Sequence, residues 1–308
     1  MGLARYCAGV KLSNLSVIAL AIGSAGAVTP TVRTDSADAF AVRDRSLVSR
    51  GPISTLTVLP GETVTLEGSE ARPTAGRLTP LGNGRWAWTA PSMPGFYPIR
   101  VVAAGQRDSI TIQAFVLVPY NRLQGEFLNG YRIGRYATRP LRGLDMYRPP
   151  VGFVEVTREN QDTFVSAHFR LKQFLCKQSG GYPKYVVLNE ALVQRLEELL
   201  ELANKAGYHA STFYVMSGYR TPAYNRAIGN VAYSRHTWGS AADIFIDEDH
   251  NGRMDDLNND GKSDERDADV LYRLFDGAQS AGGLGKYHAT ASHGPFVHVD
   301  LRDRRARW

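Results

Sequence analysis

The chain contains the stretch Ser234-Arg-His-Thr-Trp-Gly-Ser-Ala-Ala-Asp243, in which one glycine separates a histidine from a carboxylate. Gly239 and its small neighbours permit a tight reversal, and the residues that follow, Ala242–Asp247, alternate as in a β-strand. A turn at Gly239 would let Asp243 face back toward His236. The stretch therefore predicts a turn followed by a strand, with an imidazole and a carboxylate brought together.

A second histidine lies on another alternating segment, Phe296-Val-His-Val-Asp-Leu301. Alternation places His298 and Asp300 on one face of a strand. Two imidazoles and one carboxylate from separate segments are the ligands of a catalytic zinc ion, which keeps a fourth position for water. We therefore expect a zinc hydrolase, in which His298 binds the metal and Asp300 orients a ligand.

Three motifs in this order resemble the zinc D-alanyl-D-alanine carboxypeptidase family: Ser217-Gly-Tyr-Arg220, Ser234-x-His236-x-x-Gly239-x-Ala241-x-Asp243 and Phe296-Val-His298-Val-Asp300. That family includes vancomycin-resistance peptidases, phage endolysins and Gram-negative murein endopeptidases. The resemblance extends over residues 164–308. It implies that His236, Asp243 and His298 bind zinc and that Arg220 stabilises the substrate carbonyl or carboxylate.

The general base is where the chain departs from the usual pattern of that family. Many members carry an acidic residue three positions before the last histidine ligand, and here that position is Pro295. Another branch has a histidine five positions before it, which His293 matches. Imidazole titrates near neutrality and can accept a proton from water. We predict His293 as the base; it could instead only hydrogen-bond a loop, and His288 is the alternative base.

The same resemblance, combined with export, implies peptidoglycan stem peptides containing D-amino acids as the substrate. The ending Phe296–Asp300 and the additional N-terminal region favour a cross-link endopeptidase. A D,D-carboxypeptidase that removes terminal D-Ala is the first alternative. The second is a non-catalytic, calcium-stabilised cell-wall-binding protein.

The N-terminus predicts a secretory signal peptide over residues 1–27. Arg5 and Lys11 precede the apolar segment Leu15–Ile22, and small residues follow as far as Ala27. We therefore expect a periplasmic or secreted protein with no integral membrane span after cleavage. An uncleaved anchor is the alternative. Cleavage would leave Cys176 as the one cysteine, so the mature protein would have no internal disulfide.

Length and composition narrow the class further. The chain has 308 residues, 43% of them hydrophobic, which is enough for more than one core. The net charge of +6 suits retention near anionic cell-wall polymers. Lys/Arg runs with interleaved aromatics are absent from the sequence, so a nucleic acid is not expected as a partner. We expect a monomer.

The predicted fold class is α+β. Short strands separated by turns predict an all-β, Ig-like sandwich domain over residues 51–119. A flexible linker precedes it at residues 28–50, and an irregular connector follows at residues 120–156. Residues 157–308 are then the zinc peptidase domain, with helices on a small antiparallel sheet. Leucines at helical spacing after Asn189, a good N-cap, predict its long helix.

Two successive acidic stretches predict structural calcium between residues 247 and 267. Oxygen ligands at alternate positions, a glycine at the sixth and acidic groups at the ninth and twelfth describe an EF-hand-like loop. The first copy, whose twelfth position is only Asn258, offers Asp247, Asp249, Asn251 and Asp255. The second copy is complete, with Asp256, Asn258, Asp260, Asp264 and Asp267. Calcium bound there would order the loop after the strand that bears Asp243.

Overall fold

The structure is a computed structural model that describes residues 51–102, 109–279 and 281–308, together with the backbone of three strands between residues 31 and 49. The predicted signal peptide, residues 1–27, lies outside the described residues. Within the described ranges, no helix is both long enough and apolar enough to cross a membrane.

The N-terminal part of the chain is made of strands arranged in two sheets. In chain order the strands are β1 (Thr31–Asp35), β2 (Ala39–Arg43), β3 (Leu47–Ser49), β4 (Ile53–Val58), β5 (Thr63–Glu67), β6 (Glu70–Pro73), β7 (Arg77–Gly82), β8 (Arg85–Thr89), β9 (Gly95–Phe96), β10 (Ile99–Val102) and β11 (Ser109–Val116). One sheet has the order β3-β2-β1-β5-β8-β7; the other has the order β4-β11-β10-β6, and β9 pairs with β11. The first three strands fall within residues 28–50, for which the sequence predicts a linker. Pairing of β1 with β5, rather than any periodicity of its own, brings that segment into a sheet.

The two sheets enclose a common apolar core. Val64 and Leu66 alternate along β5 and are fully buried, as is Trp88 on the neighbouring strand. The indole N–H of Trp88 donates to the carbonyl of Ala75 at 2.9 Å, so burial leaves it no unpaired donor. Trp86 packs against the same core. Both tryptophans therefore serve packing, as expected of a sandwich.

The rest of the chain mixes strands and helices. Its strands are β12 (Val118–Pro119), β13 (Phe127–Leu128), β14 (Tyr131–Arg132), β15 (Gly152–Val156), β16 (Lys184–Val186), β17 (Tyr214–Ser217), β18 (Ala241–Phe245), β19 (Gly283–Tyr287), β20 (Phe296–Asp300) and β21 (Ala306–Arg307). Its helices are α1 (Glu190–Lys205), α2 (Pro222–Ala227) and α3 (Glu265–Ala278). Short 3₁₀ helices occupy Tyr120–Arg122, Leu141–Gly143, Asp145–Tyr147, Leu171–Phe174 and Arg235–Trp238. The α+β fold class, with a β-rich region before it, is confirmed.

The main C-terminal sheet has the order β17-β18-β20-β19-β21. Its strands pair antiparallel, except that β21 runs parallel to β19. Helix α1 begins after Asn189, whose side chain accepts a hydrogen bond from the Ala191 amide, and it buries Leu192, Leu196 and Leu199. The long helix predicted from leucine spacing is thus confirmed. Helix α3 packs against β19 and β20.

Residues 120–156, predicted as an irregular connector, pack into the same core as the C-terminal region. Tyr136 is buried and its hydroxyl donates to the carbonyl of Thr237 at 2.8 Å, while lying 3.0 Å from the hydroxyl of Tyr219. Strand β15, within this segment, pairs antiparallel with β16, which lies beyond residue 157. The packing is therefore continuous across residue 157, where the sequence predicts a domain boundary. Aromatic side chains from very short elements provide this packing, and they leave no periodic signal in the sequence.

Candidate metal centre

Two neighbouring strands bring the second histidine to the carboxylate. Strands β18 and β20 pair in antiparallel register with Asp243 opposite His298. Side chains directly opposite each other in such a pair lie on the same face of the sheet, about 4.5–5.5 Å apart at Cβ. The alternation of both segments therefore predicted the strands, and their pairing makes the two ligands neighbours.

A tight turn brings the first histidine to the same place. His236 lies in the 3₁₀ helix Arg235–Trp238, which ends at Gly239 with a φ of 62°. A Cβ at Gly239 would lie 2.1 Å from the carbonyl oxygen of Val187, so only glycine fits both the left-handed conformation and the close approach. The predicted reversal at Gly239 is thus what the structure contains.

The three predicted zinc ligands converge. Asp243 Oδ1 lies 3.3 Å from His236 Nε2 and 2.7 Å from His298 Nδ1. All three ligand atoms lie within 4.8 Å of one another. Ligand atoms on a tetrahedral zinc ion, with bonds of about 2.0–2.1 Å, lie about 3.3 Å apart, so the observed spacing is of the right size. The donor set of two imidazole nitrogens and one carboxylate oxygen fits zinc.

Hydrogen bonds from outside the cluster orient both imidazoles. The Nδ1 of His236 donates to the carbonyl oxygen of Gly218 at 2.7 Å, which leaves Nε2 facing Asp243. The Nε2 of His298 lies 3.3 Å from Asp300 Oδ2, and Asp300 in turn accepts from the Arg302 guanidinium at 2.8 Å. A carboxylate behind a ligating histidine fixes its ring orientation and raises its basicity. The role predicted for Asp300 agrees with this geometry.

Burial and charge set the protonation states of the cluster. Burial lowers the pKa of His236, which favours the neutral imidazole that a metal requires. Burial alone would also lower the pKa of His298, but hydrogen bonds to Asp243 and Asp300 outweigh it and raise that pKa. Burial alone would raise the pKa of Asp243, yet the neighbouring imidazoles hold it far below its usual range. Asp243 is therefore ionised at neutral pH and available as a ligand.

Arg220 contacts this cluster through Oδ2 of Asp243, whereas both histidines face Oδ1. Its guanidinium donates to Asp243 Oδ2 at 2.6 Å and to the Ser217 hydroxyl at 2.8 Å. Strand β17 carries Ser217, which pairs with Asp243 in the sheet, so the strand delivers Arg220 next to the ligand. The structure thus brings the predicted Arg220 to the centre, where it supplies fixed positive charge.

The predicted base lies near the centre without touching the ligands. His293 is half-buried, its Nδ1 donates to the carbonyl of Gly294 at 2.8 Å, and its ring centroid lies 5.1 Å from that of Phe296. Phe296 and His298 share one face of β20 because they are two residues apart. The alternative base, His288, instead pairs with Glu265 at 2.7 Å on the exposed side of α3.

Two aromatic residues beside the centre were not predicted. The ring of Trp308 lies 5.5 Å from that of His298, and its indole N–H donates to the hydroxyl of Tyr287 at 2.8 Å. Both side chains are partly exposed, and the ring of Tyr287 also lies beside that of His298, at 6.3 Å. Strand β21, which positions Trp308, is only two residues long and therefore gave no periodic signal.

The acidic loop behaves differently in its two copies. In the first copy Asp247, Asp249 and Asp255 offer oxygens within 4.8 Å of one another. The amides of Asn251 and Gly252 both donate to Asp247, which closes the loop. The predicted ligands Asp247, Asp249 and Asp255 are therefore brought together by the structure.

In the second copy the last two acidic residues are used by a helix. Asp264 is the N-cap of α3, and its amide donates to Asp267. Asp267 is fully buried and also accepts from the amides of Leu257 and Asn258. Asp256 closes its own turn by accepting from the Gly261 amide. Within the described residues, convergence of acidic oxygens is seen in the first copy, although the sequence predicted the second as the complete one.

Comparison with known proteins agrees with this centre. No curated protein matches the chain. A model of the Peptidase M15 family matches residues 167–266, which contain Arg220, His236 and Asp243. Strand β20 adds His298 from beyond the matched segment. This part of the chain is thus similar to the Peptidase M15 family, and the convergent His/Asp/His cluster agrees with a zinc metallopeptidase.

Proposed function

We propose that this protein is a zinc-dependent peptidase that hydrolyses peptide bonds in peptidoglycan stem peptides, as a cross-link endopeptidase. The observation that carries the proposal is the convergence of His236, Asp243 and His298 on one point. A zinc ion held there would polarise the scissile carbonyl and supply a nucleophilic water at neutral pH. The match to the M15 family supports peptidoglycan as the substrate class.

Three further residues have roles in the proposed mechanism. Asp300 holds the His298 ring in its ligating orientation through Nε2. Arg220 places positive charge where negative charge develops on the substrate oxygen, and such fixed charge is worth more in a dry site than in water. His293 is the proposed acceptor of the water's proton and its donor to the leaving amine. To do so, the His293 ring must turn from the Gly294 carbonyl toward a bound substrate.

The shape of the surface favours an endopeptidase over a carboxypeptidase. A carboxypeptidase needs room for only one residue beyond the scissile bond, whereas an endopeptidase must admit chain on both sides. Two cavities, of about 600 Å³ and about 1160 Å³, adjoin at Asn129, and the second reaches Leu59 and Pro94 of the sandwich. They offer space for a longer chain on this face of the molecule, although neither is lined by the metal ligands.

Digestion of purified sacculi by the zinc-loaded protein, with products identified by mass, tests the proposal. Cross-linked dimers falling to monomers is the expected result. Release of terminal D-Ala alone would mean the D,D-carboxypeptidase. The third candidate, a non-catalytic wall-binding protein, is favoured by the lack of contact between His293 and the ligands, and an unchanged digest would support it.

His298→Ala is the matched control for that digestion. It removes one of three ligands, and we expect it to lose both stoichiometric zinc and activity. Metal content measured by elemental analysis checks the first, and the same sacculus digest checks the second. Full zinc occupancy together with full activity in His298→Ala would reject the proposed centre.

We also propose that the loop from Asp247 to Asp255 holds a structural calcium ion. Burial together with the charges of Asp249 and Asp247 raises the pKa of Asp255, so the three carboxylates repel one another without a cation. Calcium would offset this repulsion and stiffen the loop that leaves β18. Removal of calcium by a chelator should then lower the melting temperature of the wild type. Asp249→Asn should melt at that lower temperature even when no chelator is added. An unchanged melting temperature on removal of measured bound calcium would contradict this role.

Export is the last part of the proposal. The predicted signal over residues 1–27 would deliver the enzyme to the compartment that holds its substrate. The mass of the protein recovered from outside the cytoplasm should then correspond to cleavage near Ala27. An intact N-terminus in the membrane fraction would indicate the uncleaved anchor instead.

A further inference from the structure

The segment that precedes the cavity at Lys177 is fixed beside Arg220. The amide of Tyr219 donates to the carbonyl of Phe174 at 3.0 Å, and the hydroxyl of Thr221 donates to the side-chain oxygen of Gln178 at 2.6 Å. A Cβ at Gly218 would lie 2.8 Å from Phe174 Cα, so the two segments are in close contact. Phe174–Gln178 and the turn that carries Arg220 therefore run side by side, with Lys177 between two anchored positions.

The ammonium of Lys177 belongs to the electrostatic surroundings of the metal centre. Burial lowers its pKa, while the charge of Asp243 raises it and that of Arg220 lowers it further. The segment that carries Lys177 runs beside the turn that carries Arg220, which agrees with the effect of both charges. The side chain of Lys177 is nevertheless exposed, and in the part of the chain that the structure describes no carboxylate forms an ion pair with it.

The charged side chains that line the cavity beside Lys177 are all positive. The volume of the cavity is about 600 Å³, and its lining includes Lys177 and Arg132 but neither aspartate nor glutamate. Arg132 is already paired with Glu126 at 2.9 Å. Among the described residues, Lys177 is thus the cation in this wall without an ion pair or hydrogen bond, and its ammonium can donate to a ligand in the cavity.

We propose that Lys177 binds a carboxylate of the peptide substrate and so makes this side of the metal centre selective for acidic peptides. The inference rests on the proposed peptidase function and identifies a carboxylate as the substrate group that this site recognises. The carboxylate comes either from the free α-carboxyl end of the peptide or from an acidic residue within it. An ammonium beside a bound carboxylate forms a charge-assisted hydrogen bond, which is stronger than a neutral one.

The first test measures binding, which does not require turnover. Two short D-alanyl-D-alanine peptides, one with a free α-carboxylate and one amidated, are titrated into the metal-free protein, and a second pair differs by Glu against Gln inside the peptide. For one of the two pairs, the wild type should bind the acid form about tenfold more tightly or better. The pair in which the acid form binds more tightly identifies which carboxylate the protein recognises. Equal binding of both forms in both pairs would overturn the inference.

Variants assign the preference to Lys177. Lys177→Gln should remove the difference between acid and neutral forms, while Lys177→Arg should keep part of it. Lys172→Gln is the matched control, because Lys172 is an exposed lysine on the preceding 3₁₀ helix that pairs with Asp162 at 2.6 Å. It should bind like the wild type. Retention of the full acid preference in Lys177→Gln would overturn the inference.

Kinetics then separate this inference from the proposed function. In the zinc-loaded enzyme Lys177→Gln should raise KM for the acid peptide about tenfold, with kcat changed far less. An acid preference that Lys177→Gln abolishes, in a protein that cleaves neither peptide, supports the inference while rejecting the peptidase. Cleavage of both forms with equal KM by the wild type supports the peptidase while rejecting the role of Lys177.

Discussion

At the scale of single residues, Arg220 has two roles that can be separated. It pairs with the buried residue Asp243 in the protein itself, and in the proposed mechanism its positive charge stabilises the substrate oxygen. A zinc ion would also compensate Asp243. Loss of the arginine should therefore matter less for folding when metal is present than when it is absent.

We predict that Arg220→Ala lowers kcat by about 10²–10³-fold while the protein still binds one zinc ion, because a fixed charge at the developing oxyanion is lost. The metal-free variant should lose about 3–5 kcal/mol of its free energy of unfolding, since a buried carboxylate loses its partner. Urea unfolding with and without zinc measures the difference. Arg226→Ala, an exposed arginine 3.9 Å from Glu126, is the control and should change neither quantity. Loss of zinc from Arg220→Ala would contradict this separation of roles.

Gly239 carries a second prediction at this scale. Gly239→Ala must place a Cβ in a left-handed conformation, which costs about 1–2 kcal/mol, and must also relieve a 2.1 Å approach to Val187. We expect a loss of stability larger than the first figure, together with weaker zinc binding, because the turn positions His236. Gly229→Ala separates the two causes, since its φ is 73° but nothing lies within 4 Å of the added Cβ. Equal losses in the two variants would show that the close approach contributes nothing.

At the scale of elements, the periodicity of apolar residues and the turn residues predicted individual strands and helices. The alternating segments became β18 and β20, and the leucine spacing became α1. The register that sets Asp243 opposite His298 was not encoded locally, because pairing depends on the whole sheet. The resemblance between motifs supplied the ligand set that the register later explained.

In the acidic loop, one sequence pattern fits two different uses of the same aspartates. The second copy matched the calcium pattern at every position, yet Asp264 and Asp267 form the capping box of α3. Aspartate is favoured both as a calcium ligand and as an N-cap, so the pattern alone could not distinguish these uses. The structure shows the capping use of Asp264 and Asp267, and the calcium role of this second copy stays a prediction.

Strand β21 carries the prediction at this scale. Asp276 on α3 accepts from Arg307 and Arg305, and these contacts hold the segment that ends in Trp308. Hydrogen bonding to Arg307 lowers the pKa of Asp276. The pairing therefore stabilises the segment above the ordinary aspartate pKa of about 3.9 and is lost as the pH falls through the lower folded value.

We predict that Asp276→Asn loosens β21 at pH 7, so that the indole N–H of Trp308 exchanges faster with solvent as its bond to Tyr287 opens. The difference from the wild type should shrink as the pH is lowered from 7 to 3, toward the lowered pKa of Asp276, because a protonated carboxylate no longer pairs with Arg307. Hydrogen exchange of the Trp308 indole by NMR is the measurement. Asp303→Asn, at an exposed position close by, should exchange like the wild type at both pH values. A difference that persists unchanged at pH 3 would show that charge is not what holds the segment.

At the scale of the whole molecule, the sandwich and the peptidase region are joined by specific hydrogen bonds. Glu190, in the first turn of α1, accepts from both the amide and the hydroxyl of Thr57 at 2.6 Å. The hydroxyl of Thr55 donates to the carbonyl of Val165 at 2.5 Å. Strand β4 is thus fixed to helix α1 and to the segment that contains Val165. These contacts link residues more than 100 positions apart, so no local pattern could have predicted them.

Glu190→Ala should therefore weaken the coupling between the two regions. The amide of Thr57 loses its acceptor in a half-buried place, which costs about 1–3 kcal/mol, and α1 loses a negative charge at its N-terminus. We expect the variant to be less stable in urea and to unfold in two calorimetric steps where the wild type unfolds in one. Glu198→Ala removes a carboxylate from the exposed face of the same helix, where it lies 3.4 Å from Arg195, and should stay within about 0.5 kcal/mol of the wild type. If Glu190→Ala and Glu198→Ala were equally stable, the contact with Thr57 would not be what joins the sandwich to the catalytic region.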